Sequence, residues 1–513
     1  MMVASLLFHT SANRIGSSGC SSPANPFFAT CQKQPAWHAC ARLPDHWSAA
    51  ATHLTHPMTA LSTAPTRYRW FICALVFFAT TINYIDRQIL ALLKPMLDTD
   101  IGWTNIQYGW VNSAFQGAYA VGLLWFGRFV DRVGVKRGYQ VSIIAWSVAA
   151  MLHAPIILLV GKQMTLPPAF GWLASNPATL LVPSAFVAFL VARVLLGVSE
   201  GGNFPAAIKA MTQWFPQRER ALATSLFNAG TNAGAIFAPA LVPPLAYLMG
   251  WEWTFVFAGL AGFLWLAFWI PKYDTPDKRP EVNAAELALI HSDPAEIPGQ
   301  PLPWLSVLKY RQAWSFITSK FLTDPVWWFF LSWLPDFFKK TRGLDIKNSW
   351  IHLVTIYSII TVLSIAGGWL TGYLIRSGWS VSRARKTGML AFALLVVPIV
   401  FVSKAGDWPA VLLIGLAGSA HQAWSATIFT TVSDMFPKRA VATLIGIGGM
   451  AGAVGGMIFQ VFVGAMLDKF AKTHDASGGY AVLFGICACA YLVAFAINHL
   501  FAPKFEAVRM TEA

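Results

Sequence analysis

From Trp70 onward the chain alternates long apolar runs with short polar breaks. Twelve runs stand out, at roughly 69–93, 109–130, 138–160, 184–207, 221–248, 253–271, 313–338, 349–375, 386–403, 408–432, 440–467 and 479–502, close to or above the ~20 residues that a helix needs to cross a hydrocarbon core. Strict alternation over about ten residues is missing, and the polar residues of a barrel lumen are too few, so transmembrane strands are excluded. The pattern predicts an all-α polytopic membrane protein with twelve transmembrane helices. An even count puts both ends on one side. Leaving aside residues 1–66 and the intramembrane Arg87, Arg193 and Lys320, the loops on that side hold 22 Lys and Arg and the opposite loops nine, so both termini are expected in the cytoplasm. Lys339, Lys340, Arg342 and Lys347 supply four of those nine and run against the trend.

The longest internal break, 272–310, is rich in Pro, Glu, Asp and Lys and separates a six-helix half at 67–271 from a second at 311–503, followed by a cytoplasmic tail at 504–513. An internal repeat supports equivalent halves: Trp214-Phe215-Pro216 followed by Arg220-Ala-Leu-Ala-Thr224 is echoed by Met435-Phe436-Pro437 followed by Arg439-Ala-Val-Ala-Thr443. Each copy sits between the fourth and fifth helix of its half. Gly230-xxx-Gly234, and Gly448-xxx-Gly452-xxx-Gly456, then give spacings that let helix backbones approach closely. Two pseudo-symmetric halves with a site between them near the midplane is a transporter architecture. An insertion from Gly161 to Pro183 holds four Pro and suggests no chemistry. Residues 1–66 differ in kind, being rich in Ser, Ala, Pro and Cys. They read as disordered or as an upstream-extended start with Met58 the functional initiator, and no basic region precedes the apolar stretch Met1–Phe8 as a signal peptide would require.

Composition agrees with the membrane reading. Of 513 residues 56% are hydrophobic and 12% charged, with a mean hydropathy of +0.53, against about 25% charged in soluble domains. The net charge of +14 comes mostly from short loops, as topology requires, so nucleic-acid binding is not expected. Six cysteines form no CxxC pair or metal-ligand spacing, and no metal or cofactor is expected. No Walker loop, HExxH or G-x-S-x-G occurs, which disfavours ATP-driven transport and an intramembrane hydrolase. The expected partners are a small organic anion, protons and the bilayer, with the protein a monomer.

After the second run comes Gly127-Arg-Phe-Val-Asp131-Arg132-Val-Gly134-Val-Lys136-Arg137. It resembles the loop signature of the major facilitator superfamily, with Gly127 expected to allow close helix contact, Asp131 to favour a neighbouring helix N-terminus, and Arg132 and Arg137 to hold the loop inside. The matching loop of the second half keeps Gly372 but has Arg376 where the acid should stand. Asn83-Tyr-Ile-Asp86-Arg87-Gln, Arg193-Val-Leu-Leu-Gly-Val-Ser-Glu200-Gly-Gly-Asn203-Phe-Pro205 and Ala420-His421-Gln422-Ala-Trp424-Ser425 resemble the anion:cation symporter family within that superfamily. Together with Thr323-Asp324-Pro325-Val-Trp327-Trp328, the last of these is similar to its hexuronate transporter branch. The resemblance implies proton-coupled import of a uronate by alternating access, in the cell's inner (plasma) membrane. Another acid (an aldonate, tartrate or an aromatic carboxylate) or a transporter-like receptor stays open.

Six ionisable residues within the apolar runs stand out: Asp86, Arg87, Arg193, Glu200, Lys320 and Asp324. Each costs about 2.5–3.5 kcal/mol at a helix centre, so together they mark a pathway. Asp86 and Arg87 are adjacent, about 100° apart on a helix, and face different partners. Arg87 offers the planar fork that suits a carboxylate and is the expected substrate clamp, against a purely structural pair with Glu200. Arg193 is expected to meet Asp86, which leaves Glu200 facing the cavity as the proton-carrying carboxyl. Lys320 and Asp324, at i and i+4, read as a structural pair. His421 lies 15 residues before Phe436 as Glu200 lies 15 before Phe215, so the two are pseudo-symmetry mates expected at the cavity. Tyr84, Gln116, Tyr119, Asn203, Asn228, Asn232, Gln422 and Ser425 supply neutral donors and acceptors for hydroxyls. Trp327, Trp328 and Trp424 are able to stack on a sugar, although packing is the simpler role for Trp.

Overall fold

The computed structural model describes residues 64–174, 178–293, 304–473 and 475–508; the expectations for residues 1–63 lie outside them. Twelve spans follow in order: α1 (Tyr68–Ile101), α2 (Asn105–Val133), α3 (Val135–Leu159), α4 (Ser184–Trp214), α5 (Gln217–Met249), α6 (Trp251–Lys272), α7 (Arg311–Arg342), α8 (Ile346–Arg376), α9 (Val381–Lys404), α10 (Asp407–Met435), α11 (Lys438–Ala471) and α12 (Ala476–Phe501). Among the described residues, nine of these are long and apolar enough to cross a membrane by length and hydropathy alone. The three that fall short, α2, α7 and α10, carry Gln116, the Lys320–Asp324 pair and His421. The even passage puts the α6–α7 linker on one face and the α3–α4 connection on the other; we call these the linker face and the hairpin face.

Local sequence explains the breaks. Thr104 opens α2 with a capping box, its hydroxyl accepting from Gln107 N–H while the Gln107 side chain accepts from Thr104 N–H. Gly134 ends α2 and starts α3 at φ +84°, a conformation that disfavours any side chain. The internal repeat makes the same corner twice: Phe215 and Phe436 leave the helix in extended conformation, and Pro216 and Pro437 (ψ 156° and 150°) start α5 and α11. α4 is interrupted after Glu200 by Gly201 and Gly202 and resumes at Asn203.

Packing repeats with the sequence. α1 lies on α5 and α2 on α4, as α7 lies on α11 and α8 on α10, and the halves meet through α2–α11, α5–α8 and α1–α7. The predicted glycine spacings serve close crossings: a Cβ at Gly230 would stand 2.5 Å from the Phe77 carbonyl oxygen, and one at Gly448 would stand 2.1 Å from the Phe316 ring. A backbone-to-backbone crossing joins α2 and α4, where a Cβ on Gly122 would lie 2.3 Å from the Val198 carbonyl oxygen. Gly127 disappoints its expectation, since a Cβ there meets nothing within 4 Å. Gly122→Ala is therefore expected to cost about 1–3 kcal/mol through forced helix separation, seen as a thermal midpoint several degrees lower in detergent. Gly127→Ala should leave the midpoint level or raised; equal losses in both would contradict the crossing.

The connections are ordered against the helix ends. In the 161–183 insertion, β1 (Gln163–Thr165) pairs antiparallel with β2 (Leu181–Pro183), and Trp172 packs edge-on against Trp110 of α2 at 4.5 Å. In the linker a short helix, Ala284–Ile290, buries Glu286 against the start of α1, where the carboxylate accepts from the backbone N–H of Tyr68 and Arg69 and binds the Arg69 guanidinium at 2.8 Å. Arg69 also reaches Glu219 of α5 at 3.0 Å. A carboxylate at a helix N-terminus satisfies both free donors and dipole.

Candidate functional site

Two helices meet at the centre of the first half. Arg87 of α1 donates from Nε to Glu200 Oε2 of α4 at 2.6 Å, both side chains almost fully buried. The guanidinium lies over the rings of Tyr119 (4.3 Å), Tyr84 (5.1 Å) and Phe115 (5.5 Å), which hold it by cation–π attraction. Its Nη2, and Oε1 of Glu200, are buried and have no hydrogen-bond partner among the described residues. This corrects two expectations. Glu200 does not face the cavity unpaired but stands behind Arg87, which comes between it and the opening. Asp86 and Arg193 form no ion pair within 4.0 Å; both Asp86 oxygens, and Nε and Nη2 of Arg193, are buried without a hydrogen bond. With Arg87 turned to Glu200, its neighbour Asp86 points about 100° away from that pair.

A cavity of about 530 Å³ lies between the halves. Tyr84, Arg87, Tyr119 and Asn228 form its first wall, and Lys320, Asp324, Trp327, Trp328, His421, Gln422 and Ser425 the second. Trp327 stacks flat on His421 at 5.4 Å, and the His421 Nδ1 meets the Tyr491 hydroxyl at 2.5 Å. Lys320 and Asp324 form their pair at 2.8 Å, but on the cavity wall rather than away from it. Gln116 instead lines a small pocket on the hairpin side of Arg87, together with Arg193. Three more of the expected cavity residues are elsewhere. Asn203 turns to α3 and accepts from the Tyr139 hydroxyl at 2.5 Å; Trp424 is fully buried edge-on to Tyr491; Asn232 is not among the lining residues, whereas Thr231 beside it is.

The cavity opens toward the linker face. On α11 a Cβ at Gly446 or Gly449 would meet nothing within 4 Å, whereas nearer the hairpin face Gly456, Gly464 and Gly109 all lie in tight contact across the α2–α11 boundary. The hairpin face is closed by a buried ion cluster. Fully buried Lys94 of α1 lies 2.9 Å from Asp336 of α7 and 2.5 Å from Asp98. The Tyr480 hydroxyl of α12 donates to Asp336 at 2.6 Å, and Lys340 reaches Asp336 at 3.0 Å and Asn105 at 2.8 Å. Asp468 at the end of α11 accepts from the backbone N–H of Asn105 and Ile106, the first turn of α2. Every one of these contacts except Lys94–Asp98, Tyr480–Asp336 and Lys340–Asp336 joins the two halves. Sequence reasoning missed this cluster, although Asp336 lies inside the seventh apolar run and Lys94 one residue beyond the first. It also explains Lys340, one of the cations that run against the loop trend.

Comparison with known proteins decides the family. The model for the Major Facilitator Superfamily matches residues 76–460. The chain belongs to the major facilitator superfamily. It is thus a multi-pass membrane transporter and not an enzyme. The hexuronate transporter of Escherichia coli (strain K12) is 28% identical over 430 residues, covering 82% of this chain and 90% of that protein. A probable galactarate/D-glucarate transporter of Bacillus subtilis (strain 168) is 27% identical over 427 residues, covering 80% and 88%, and the D-galactonate transporter of Escherichia coli O6:H1 is 24% identical over 418, covering 79% and 91%. Among solved structures, the xylose transporter XylE from E. coli in its inward open conformation gives a TM-score of 0.62 at 13% identity over 85% of this chain and 97% of that one, which shows the shared fold.

The signature loop of this major facilitator protein works as a tie. Asp131 at the end of α2 meets Lys209 of α4 at 2.7 Å, rather than a helix N-terminus, and Lys209 also donates to the Val130 carbonyl. Lys136 reaches Asp274 of the linker at 3.1 Å, while Arg132 and Arg137 are exposed. In the second half the acid missing at position 376 comes from α10: Asp434 meets Arg385 of α9 at 3.3 Å, and Arg385 also donates to Thr371 of α8.

Proposed function

We propose that this protein is a proton-coupled symporter of sugar acids, with a hexuronate such as galacturonate or glucuronate the leading substrate. The observation that carries the reading is Arg87: it lines the central cavity, engages Glu200 through Nε, and keeps Nη2 without a partner. A guanidinium edge of that kind accepts a carboxylate in bidentate fashion. The relatives named above, transporters of hexuronate, galactonate and galactarate or glucarate, support a polyhydroxylated acid.

Coupling follows from the same pair. While Glu200 is ionised it competes with the substrate carboxylate for Arg87. A proton on Glu200 removes that competition, and the occupied cavity then closes without an unpaired buried charge. Asp86, with neither oxygen partnered, is the second acid of the site, and Arg193 the second base. We take the linker face as cytoplasmic, supported by the excess of Lys and Arg in its loops, and the location as the inner membrane. The described state then releases substrate inward, and the ion cluster at Lys94 and Asp336 must part for outward opening. An aldonate or aldarate is the second reading, favoured by the galactonate and galactarate/D-glucarate transporters among the relatives.

The test is uptake by purified protein in liposomes under an imposed pH gradient, across labelled hexuronates, aldonates, hexarates and aromatic acids. Accumulation of a sugar acid that collapses with the gradient is the expected result; equilibration without accumulation would remove the coupling. Arg87→Lys keeps the charge but loses the fork, so its dissociation constant for the acid should rise at least tenfold, about 1.4 kcal/mol. Near-normal binding by calorimetry would move the clamp to another cation.

A further inference from the structure

We propose that Lys320 is a second anion-binding residue of the cavity, so that a six-carbon dicarboxylate, a hexarate, is held at both ends, one carboxylate on Arg87 and the other on Lys320. The inference rests on the reading of Arg87 as the clamp for the first carboxylate.

Each half contributes to this cavity one base with one acid beside it: Arg87 with Glu200, and Lys320 with Asp324. The Lys320 ammonium has three donors. Asp324 takes one direction at 2.8 Å, and the Phe429 ring lies 4.6 Å from Nζ on another. Folding alone does not call for such a pair. Burying two charges carries a desolvation cost that a hydrophobic pair of the same size would avoid, and α11 presses directly on Asp324, a Cβ at Gly452 falling 2.2 Å from its oxygen. Ligand recognition is the use that explains a base kept on the wall of a transport cavity.

The spacing suits a ligand of definite length. α1 and α7 end in the same left-handed cap, Gly102 at φ 71° and Gly343 at φ 64°, and Lys94 and Asp336, about two turns before those caps, meet at 2.9 Å, which puts the two caps at a common level. Counting back from those caps, Arg87 lies 15 residues in and Lys320 lies 23 residues in. The difference of eight residues is about 12 Å along a helix. An extended six-carbon chain spans about 6 Å, and one charge-assisted hydrogen bond of about 2.8 Å at each end brings its reach to roughly 12 Å. A four-carbon diacid falls about 2.5 Å short. Between the two bases the wall carries Trp327, Trp328, His421 and Gln422, rings for C–H faces and polar groups for hydroxyls.

Calorimetry on the purified full chain in nanodiscs, with galacturonate, galactarate and tartrate as probes, tests the assignment. Lys320→Gln should weaken galactarate at least tenfold more than galacturonate and leave the tartrate constant moved no more than that of galacturonate. Asp324→Asn, which keeps the base and removes its competitor, should tighten galactarate. Equal weakening of both six-carbon acids in Lys320→Gln, or galactarate binding that is unchanged or weaker in Asp324→Asn, would overturn the proposal, and the second variant decides alone if the first does not fold. Wild-type binding of galacturonate without galactarate would overturn it and leave the sugar-acid reading standing. Failure of both acids to bind would overturn both.

Discussion

Glu200→Gln is expected to bind sugar acid at least as tightly as the wild type and to exchange it across the membrane, yet to accumulate none when a pH gradient is imposed. The substitution makes the protonated state of this side chain permanent. Arg87 then loses an ionised partner at 2.6 Å and is free for the substrate at every pH. Reorientation of the occupied carrier no longer waits for a proton, so flux continues while its link to the gradient is cut. Counterflow and gradient-driven uptake, measured on one preparation, separate the two functions. If Glu200→Gln still concentrates substrate while Asp86→Asn does not, the proton travels on Asp86, whose two oxygens stand without a partner. His421→Gln, at the pseudo-symmetric position, should weaken hydroxylated acids but keep gradient-driven accumulation.

Lys94→Met should open the hairpin face. Lys94 is fully buried between Asp98 and Asp336, and removing one partner from a buried ionic cluster costs about 3–5 kcal/mol because the charges left behind are uncompensated. Only the closed state pays it, since opening hydrates both acids. A penalty of that size changes the ratio of closed to open by roughly two to three and a half decades. Spin labels at the hairpin-face ends of α2 and α11 should therefore report a longer distance in Lys94→Met than in the wild type. The double variant Lys94→Met with Asp336→Leu, in which an apolar pair replaces the ions, should recover much of the closed population. Unchanged distances in the single variant would mean that the cluster does not hold the face shut.

Much of the architecture was legible because a bilayer permits few alternatives: a run of about 20 apolar residues has to be a helix, and the loop charges set the expected sidedness. The repeated Phe-Pro corner was legible too, since proline fixes the turn that starts α5 and α11. Rotation of each helix about its axis was not. These spans are apolar on nearly every side, so no hydrophobic stripe says which polar residue faces the cavity. Asn203 and Trp424 therefore read from the sequence as residues of a wall they do not form, and Glu200 reads as unpaired when Arg87 covers it. The closing cluster was missed for another reason. Lys94, Asp98 and Asp336 sit at the ends of apolar runs, where a charge reads as ordinary loop, and only the approach of α1 to α7 reveals that they are buried together.

The three spans too polar to qualify as membrane segments by hydropathy have a consequence for how the chain is made. α7 carries Lys320, Asp324 and Asp336, at about 2.5–3.5 kcal/mol for each charge deep in lipid; Lys320 and Asp324 pair with each other, while the partners of Asp336 on α1 and α12 flank α7 in the chain order. Lys94 is synthesised before α7 and Tyr480 long after it. The nascent α7 thus enters the bilayer with a docking site already waiting on α1, and its remaining polar face is covered only when α11 and α12 emerge. A substitution at Lys94 is therefore expected to lower the amount of inserted protein as well as to alter the transport cycle.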